Sequence, residues 1–138
     1  MKVKLDFGAK EPVRFHPEDA GIDLFSMEDK IIIPYGDGLF HTGVHVELPK
    51  GTAGLLVSKS GLNVNNDITS TGLIDSNYRG EIKVKLYNHG SESFHVHKGM
   101  KISQLVIIKI GLDPVEIVDE LDMNTDRGSS GFGSTGLF

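Results

Sequence analysis

Phe40-His41-Thr42-Gly43-Val44-His45-Val46-Glu47-Leu48 decides the fold. Phe40, Thr42, Val44, Val46 and Leu48 recur at every second position, the period of a strand that turns one face toward a core. Ile82, Val84 and Leu86 repeat the pattern downstream, and Val3, Leu5 and Phe7 repeat it upstream. Val96 lies in a short run, and residues 102–110 form a long, almost continuously apolar one. Gly36-Asp37-Gly38, Pro49-Lys50-Gly51, Asn88-His89-Gly90 and Lys98-Gly99 interrupt these runs with turn chemistry. Many short strands with frequent turns predict an all-β fold, a barrel or double-sheet roll. At most one short helix is expected, after Ser58-Lys59-Ser60-Gly61-Leu62, because Asn63, Asn65 and Asn66 limit its length.

The chain has 138 residues with no Cys or Trp, a length that suits one domain. The absence of cysteine excludes disulfide scaffolds, Cys-ligated zinc, iron–sulfur sites and thiol catalysis. No apolar stretch is long enough to span a bilayer and Met1-Lys2-Val3-Lys4-Leu5-Asp6 lacks a signal-peptide core, so a soluble cytoplasmic protein is expected. A net charge of −5 argues against a broad nucleic-acid surface, though not against one small anionic ligand held by a few cations. Glycine is in surplus at 17 residues, and from about Asp122 periodicity gives way to a Gly-rich tail.

Five segments carry candidate chemistry. Arg127-Gly128-Ser129-Ser130-Gly131-Phe132-Gly133-Ser134-Thr135-Gly136 reads either as a flexible end or as a phosphate-and-base lid. In the second reading Arg127 forks onto phosphate oxygens, Ser134 and Thr135 donate hydroxyls and Phe132 stacks on a base. It is not a P-loop, since no GKS or GKT ending and no helix follow. Ser58-Lys59-Ser60-Gly61-Leu62 leaves a strand and opens a helix, which is either an ordinary exit or an anion site of free N–H groups. Gly72-Leu73-Ile74-Asp75-Ser76-Asn77-Tyr78-Arg79-Gly80 is either a plain hairpin, with Asp75 capping its turn and Arg79 in solvent, or a carboxylate beside a buried Leu-Ile pair placed to activate water. Ala20-Gly21-Ile22-Asp23-Leu24 sets one carboxylate in apolar surroundings, where Asp is rare unless paired or near a metal. Gly99-Met100-Lys101-Ile102-Ser103-Gln104-Leu105 puts a lone amide in an apolar strand, where it needs a partner in the sheet or in a ligand. His95 and His97 share a strand face, as do His41 and His45, but neither pair comes with an obvious carboxylate ligand, so no histidine metal site is expected and the histidines are read as surface residues.

In their order, these five segments resemble the five motifs of the trimeric deoxyuridine triphosphatases (dUTPases), over Ala20 to Gly136. The resemblance implies a homotrimer of jelly-roll-like subunits that hydrolyses dUTP to dUMP and pyrophosphate, keeping uracil out of DNA and supplying dUMP for dTMP synthesis. It implies a barrel domain over residues 1–121 and an arm over residues 122–138 that closes an active site of a neighbouring subunit. Asp75 is then the base that activates water. Tyr78 packs under the deoxyribose, while Thr71, Gly72, Leu73 and Ile74 form the hairpin that reads uracil. Lys59, Ser60, Gly61 and Gln104 hold phosphates. Phe132 and Gly133 cover the base, and Arg127, Ser134 and Thr135 clamp the γ-phosphate. Asp23 touches, through water, a Mg²⁺ held mainly by the triphosphate. Two departures stand out: Ser58-Lys59-Ser60-Gly61 replaces the usual Pro-Arg-Ser-Gly, exchanging a forked guanidinium for a point charge, and residues 62–71 are shorter than is common. Two other activities share the scaffold. A dCTP deaminase would need an acid/base group at the base edge, and the hairpin offers no second carboxylate. A regulatory module acting through a protein partner, as in some phage-encoded relatives, would need an insert for which the chain has little room.

Overall fold

The alternating stretch at 40–48 builds the longest of the nine strands found among the described residues. In chain order these are β1 (Lys2–Leu5), β2 (Gly21–Phe25), β3 (Lys30–Ile32), β4 (Asp37–Glu47), β5 (Thr52–Val57), β6 (Ile68–Asp75), β7 (Glu81–Asn88), β8 (Phe94–Val96) and β9 (Lys101–Lys109), with one helix, α1 (Ser60–Asn66), between β5 and β6. The computed structural model describes residues 1–131. Seven strands form one sheet in the order β1-β4-β7-β6-β5-β9-β2, and β3 and β8 form a separate ribbon. Every strand pairing is antiparallel.

The sheet curls around one core, giving the expected all-β, half-barrel architecture. Phe40, Thr42, Val44 and Val46 point inward from β4 as the alternation requires, and Ile82, Val84 and Leu86 do so from β7. Leu24, Ile32, Val96, Ile102 and Leu105 complete the interior from the other strands and the ribbon. A bulge between His41 and His45 bends β4, and there Gly43 adopts φ +65°, a conformation that suits glycine. The helix is short and buries no residue; it stops at Asp67 in the left-handed region, φ 56°.

Two expectations need correction. The alternation of Val3 and Leu5 does form a strand, but every residue of β1 is exposed, and Phe7 beyond it is fully exposed. Period-two patterning shows that a face is apolar without showing that the same chain covers it. The pairs His41/His45 and His95/His97 do have carboxylate neighbours, brought by distant segments: His41 Nδ1 lies 2.8 Å from Glu81, His45 Nε2 3.0 Å from Asp6 and His97 Nδ1 3.4 Å from Asp29. After Lys109 the chain runs to Gly131 without strand or helix, and Val115, Ile117 and Leu121 stand exposed. Among the described residues, no helix is long and apolar enough to cross a membrane.

Candidate active site

β2 and β9 build the first half of the site. Their antiparallel register places Asp23 opposite Gln104. Asp23 is buried, 6% exposed, and its two oxygens meet two ammonium groups: Lys59 Nζ at 2.5 Å and Lys101 Nζ at 2.7 Å. Burial pushes its carboxyl upward, yet the hydrogen bonds from Lys101 and Lys59 outweigh this and hold it below the ordinary carboxylate range. Gln104 Nε2 donates to Ser58 O at 3.1 Å, so the lone amide has found its partner in the sheet. Gly21 makes room for it, because a Cβ at that position would lie 2.3 Å from Gln104 Oε1. Phe15, Asp23, Lys59, Lys101 and Gln104 line a pocket of about 400 Å³. Lys101 also lies 5.0 Å from the Phe15 ring centroid. Ser60 and Gly61 open α1 beside this pocket, and the N-cap Lys59 makes no side-chain capping bond, so no side chain caps the first helical N–H groups.

The second half is the connection from β6 to β7. These strands pair only from Ile68 to Ser70 against Leu86 to Asn88. Beyond Ser70, β6 follows β5 as far as Ala53↔Asp75, while β7 follows β4. The hairpin therefore splays, and Leu73, Ile74, Asp75, Tyr78, Glu81 and Lys83 line the opening, a groove of about 340 Å³. Asp75 is exposed at its edge, and its carbonyl accepts Tyr78 N–H at 3.1 Å to tighten the turn. Tyr78 folds back and donates its hydroxyl to Glu81 O at 3.0 Å. Gly80 permits that pose: a Cβ there would lie 2.2 Å from the Tyr78 hydroxyl. The Arg79 guanidinium donates to Ser76 O and Tyr78 O.

Between the halves, a buried polar chain ties β5, β6 and β9 together. Ser103 Oγ donates to Val57 O at 3.0 Å and so accepts from Ser70 Oγ at 2.8 Å, while Ser58 Oγ donates to Ser70 O at 3.1 Å. No buried side-chain polar atom among the described residues lacks a partner.

Asp23, Lys59 and Gln104 thus share the pocket, with Ser60 and Gly61 at its side. Leu73, Ile74, Asp75 and Tyr78 share the groove, and Thr71 and Gly72 lie on β6 opposite Val57 and Leu56. The Leu-Ile pair beside Asp75 is not buried as expected, for Leu73 is 62% exposed and only Ile74 packs against the core. Among the described residues, the pocket and the groove share no lining residue. Arg127 turns onto its own tail, donating to Ser130 O at 3.0 Å. Phe132, Gly133, Ser134 and Thr135 lie outside the described residues.

Sequence reasoning overlooked Lys101 and Glu81. Lys101 stood in a quoted segment, but the register sets it opposite Phe25, next to the bulge between Leu24 and Phe25, rather than opposite Asp23. Glu81 accepts Thr42 N–H and Gly43 N–H on Oε1, at 3.1 and 2.9 Å, and meets His41 with Oε2, which moors the start of β7 to the β4 bulge. Burial raises its carboxyl, but the Gly43 N–H and His41 outweigh this and leave it lowered. A Glu placed directly after the motif glycine was the available signal.

Comparison with known proteins gives a consistent answer. A family model described as dUTPase matches residues 9–136. The deoxyuridine 5'-triphosphate nucleotidohydrolase of Alkaliphilus metalliredigens is 49% identical over 132 residues, covering 94% of this chain and 91% of that protein. That of Clostridium tetani is 46% identical, covering 99% and 96%. Among solved structures, the Staphylococcus bacteriophage 80alpha dUTPase with dUPNHPP superposes with a TM-score of 0.91 at 31% identity, covering 99% of this chain and 98% of that one. A mutant dUTPase from phage phi11 of S. aureus, whose structure concerns coordination of a structural Mg(II) ion, superposes with a TM-score of 0.80 at 28% identity, covering 86% and 96%. Motif order, strand topology and near-complete matches in both directions agree, and this chain belongs to the dUTPase family.

Proposed function

We propose that this protein hydrolyses dUTP to dUMP and pyrophosphate, with Asp75 as the base. The observation that carries the reading is the splayed β6–β7 hairpin, which holds Asp75 and Tyr78 in one groove beside the edge of β6 that β7 leaves open. Thr71, Gly72, Leu73 and Ile74 pair with β5 on one side only, and the alternate N–H and C=O groups on the edge that β7 leaves can pair with a uracil edge as another strand would, so no side chain need enter. Tyr78 at the mouth supplies a flat surface for the deoxyribose and crowds a 2′-hydroxyl.

The charged pocket suits the phosphates. Lys59 and Lys101 already balance one carboxylate, and an incoming triphosphate competes with Asp23 for the same ammonium groups. Gln104, Ser60 and the first N–H groups of α1 add donors. In the reaction Asp75 accepts a proton from water as the water oxygen bonds to the α-phosphorus, and the bond to the β-phosphate bridging oxygen breaks in line. The electron pair leaves with pyrophosphate. Positioning and charge neutralisation supply most of the acceleration.

A hard cation fits this donor set through water. Both Asp23 oxygens carry ammonium contacts, which leaves lone pairs for a bridging water rather than a direct metal bond. When bound, Mg²⁺ neutralises charge on the phosphate oxygens.

Because pocket and groove are separate on one chain, the complete site is assembled between subunits of a homotrimer. The apolar side chains left uncovered, Val3, Leu5, Leu73, Val115 and Ile117, give such an assembly surface to bury. Residues 1–121 form the body and residues 122–138 the arm, with Arg127, Ser134 and Thr135 clamping phosphate and Phe132 and Gly133 over the base. Pyrophosphate release measured with dUTP, UTP, dTTP and dCTP, with and without Mg²⁺, tests the reading. Release from dUTP alone, dependent on Mg²⁺, is expected; equal release from UTP or dTTP, or ammonia from dCTP, overturns it.

A further inference from the structure

A second group of ligating side chains stands apart from the pocket and the groove, on the β3–β8 ribbon. His95 lies on β8 and His97 just beyond it, so the period of the strand puts both imidazoles on one outer face. Val96 between them is fully buried and anchors that face. Lys30 pairs with Val96, which brings the preceding residue, Asp29, alongside His97. One ligand atom from each of Asp29, His95 and His97 lies within 4.8 Å of the others. His97 Nδ1 is 3.4 Å from Asp29 Oδ1, and the two imidazole centroids are 4.0 Å apart. The carboxylate is steadied from behind, since Asp29 Oδ1 also accepts the Lys98 backbone N–H at 3.3 Å. All three side chains are exposed, so a cation reaches them without any opening of the fold.

We propose that Asp29, His95 and His97 form a surface site for a divalent transition-metal cation of the zinc class, with water in the remaining positions. Two imidazole nitrogens and one carboxylate oxygen on a single side make a three-ligand set with an open face. Mg²⁺, which favours an all-oxygen shell, is poorly matched to two imidazoles, so the site is chemically distinct from a triphosphate-bound Mg²⁺. The ribbon has only three paired positions, Lys30↔Val96, Ile31↔His95 and Ile32↔Phe94. A bound ion joins the turn that enters β3 to the turn that leaves β8, and so closes the ribbon at its open end.

The test is calorimetric titration of the full chain with ZnCl₂ in buffer containing excess Mg²⁺, after chelator treatment. One ion per chain is expected. His95→Ala and His97→Ala should each weaken binding by at least about tenfold, since loss of a ligand costs no less than loss of a residue that orients one. Asp29→Asn should weaken it as well, and His16→Ala should leave it unchanged. Circular dichroism checks that the variants are folded, and Co²⁺ substitution gives a second readout through visible absorption bands that the histidine variants lose. Absence of stoichiometric binding to the wild type overturns the proposal, as does a His95 or His97 variant that binds like the wild type.

Discussion

The pocket around Asp23 and the groove around Asp75 are both built from strands, yet one is closed upon itself and the other is open. Asp23 is buried, with both oxygens bonded to ammonium groups. Asp75 is exposed, and only its backbone is tied to the turn. The pocket's charges are satisfied within the chain, so a ligand must exchange partners there. Asp75, the proposed base, is held in place by the loop but kept accessible to water. A carboxylate that must accept a proton needs that access, whereas one that orients cations needs burial.

The contrast breaks first at Asp75. Asp75→Asn should lower kcat by about 10²-fold or more while dUTP binding persists, measured by pyrophosphate release beside calorimetric binding; near-full activity would move the base elsewhere. Truncation before Arg127 should leave a folded trimer whose hydrolysis falls by about tenfold to 10²-fold, the scale of losing a positioning element. Light scattering with turnover assays separates this from unfolding, which would make the tail structural.

Asp23→Asn should act on stability, costing about 1–3 kcal/mol in chemical denaturation, because the buried charge is lost and an NH2 donor replaces one of the two oxygens that accept from Lys59 and Lys101. The pH dependence has a defined sign. A carboxyl held below its ordinary range stabilises fully above that range, and loses its contribution as pH falls through the lowered value. The difference between wild type and Asp23→Asn should therefore vanish in acid. Tyr78→Ala should narrow the preference for dUTP over UTP by about tenfold, the worth of one lost packing surface; an unchanged ratio removes Tyr78 from sugar selection.

The smallest effect is expected at His45, whose ring nitrogens face two acceptors, Asp6 Oδ2 and Arg79 O, each at 3.0 Å. The hydrogen bond to Asp6 leads in raising its pKa. Its contribution is present below the ordinary histidine range and is lost as pH rises through the raised value. His45→Gln should flatten the profile where the imidazole titrates and also on the acid side, because the same hydrogen bond leads in lowering the Asp6 carboxyl.

Much of this was legible in the sequence, for reasons that particular residues make plain. Phe40 to Leu48 and residues 102–110 specified β4 and β9 because strand periodicity is local. Asp23 could be singled out because a carboxylate among apolar neighbours requires a partner, and two were found. The identity of those partners was not legible: the register sets Lys101 opposite Phe25, not Asp23, and Glu81 opposite His45, not His41, so both contacts run diagonally across the sheet. The exposure of β1 and of Leu73 was equally hidden, since an apolar face looks the same in sequence whether its own chain or another covers it.

Asn88 carries a consequence for the ageing of the molecule. Its buried amide donates to Ile32 O, Ile33 O and Glu92 O, and its Oδ1 accepts Gly90 N–H, so one side chain fastens the start of the β3–β8 ribbon to the end of β7. Hydrolysis of that amide to a carboxylate would replace the donor with a negative oxygen facing three carbonyl oxygens, turning the fastening into a repulsion. Burial keeps water and base from the bond. The same burial that closes the ribbon onto the barrel therefore protects the protein against slow chemical damage at this point.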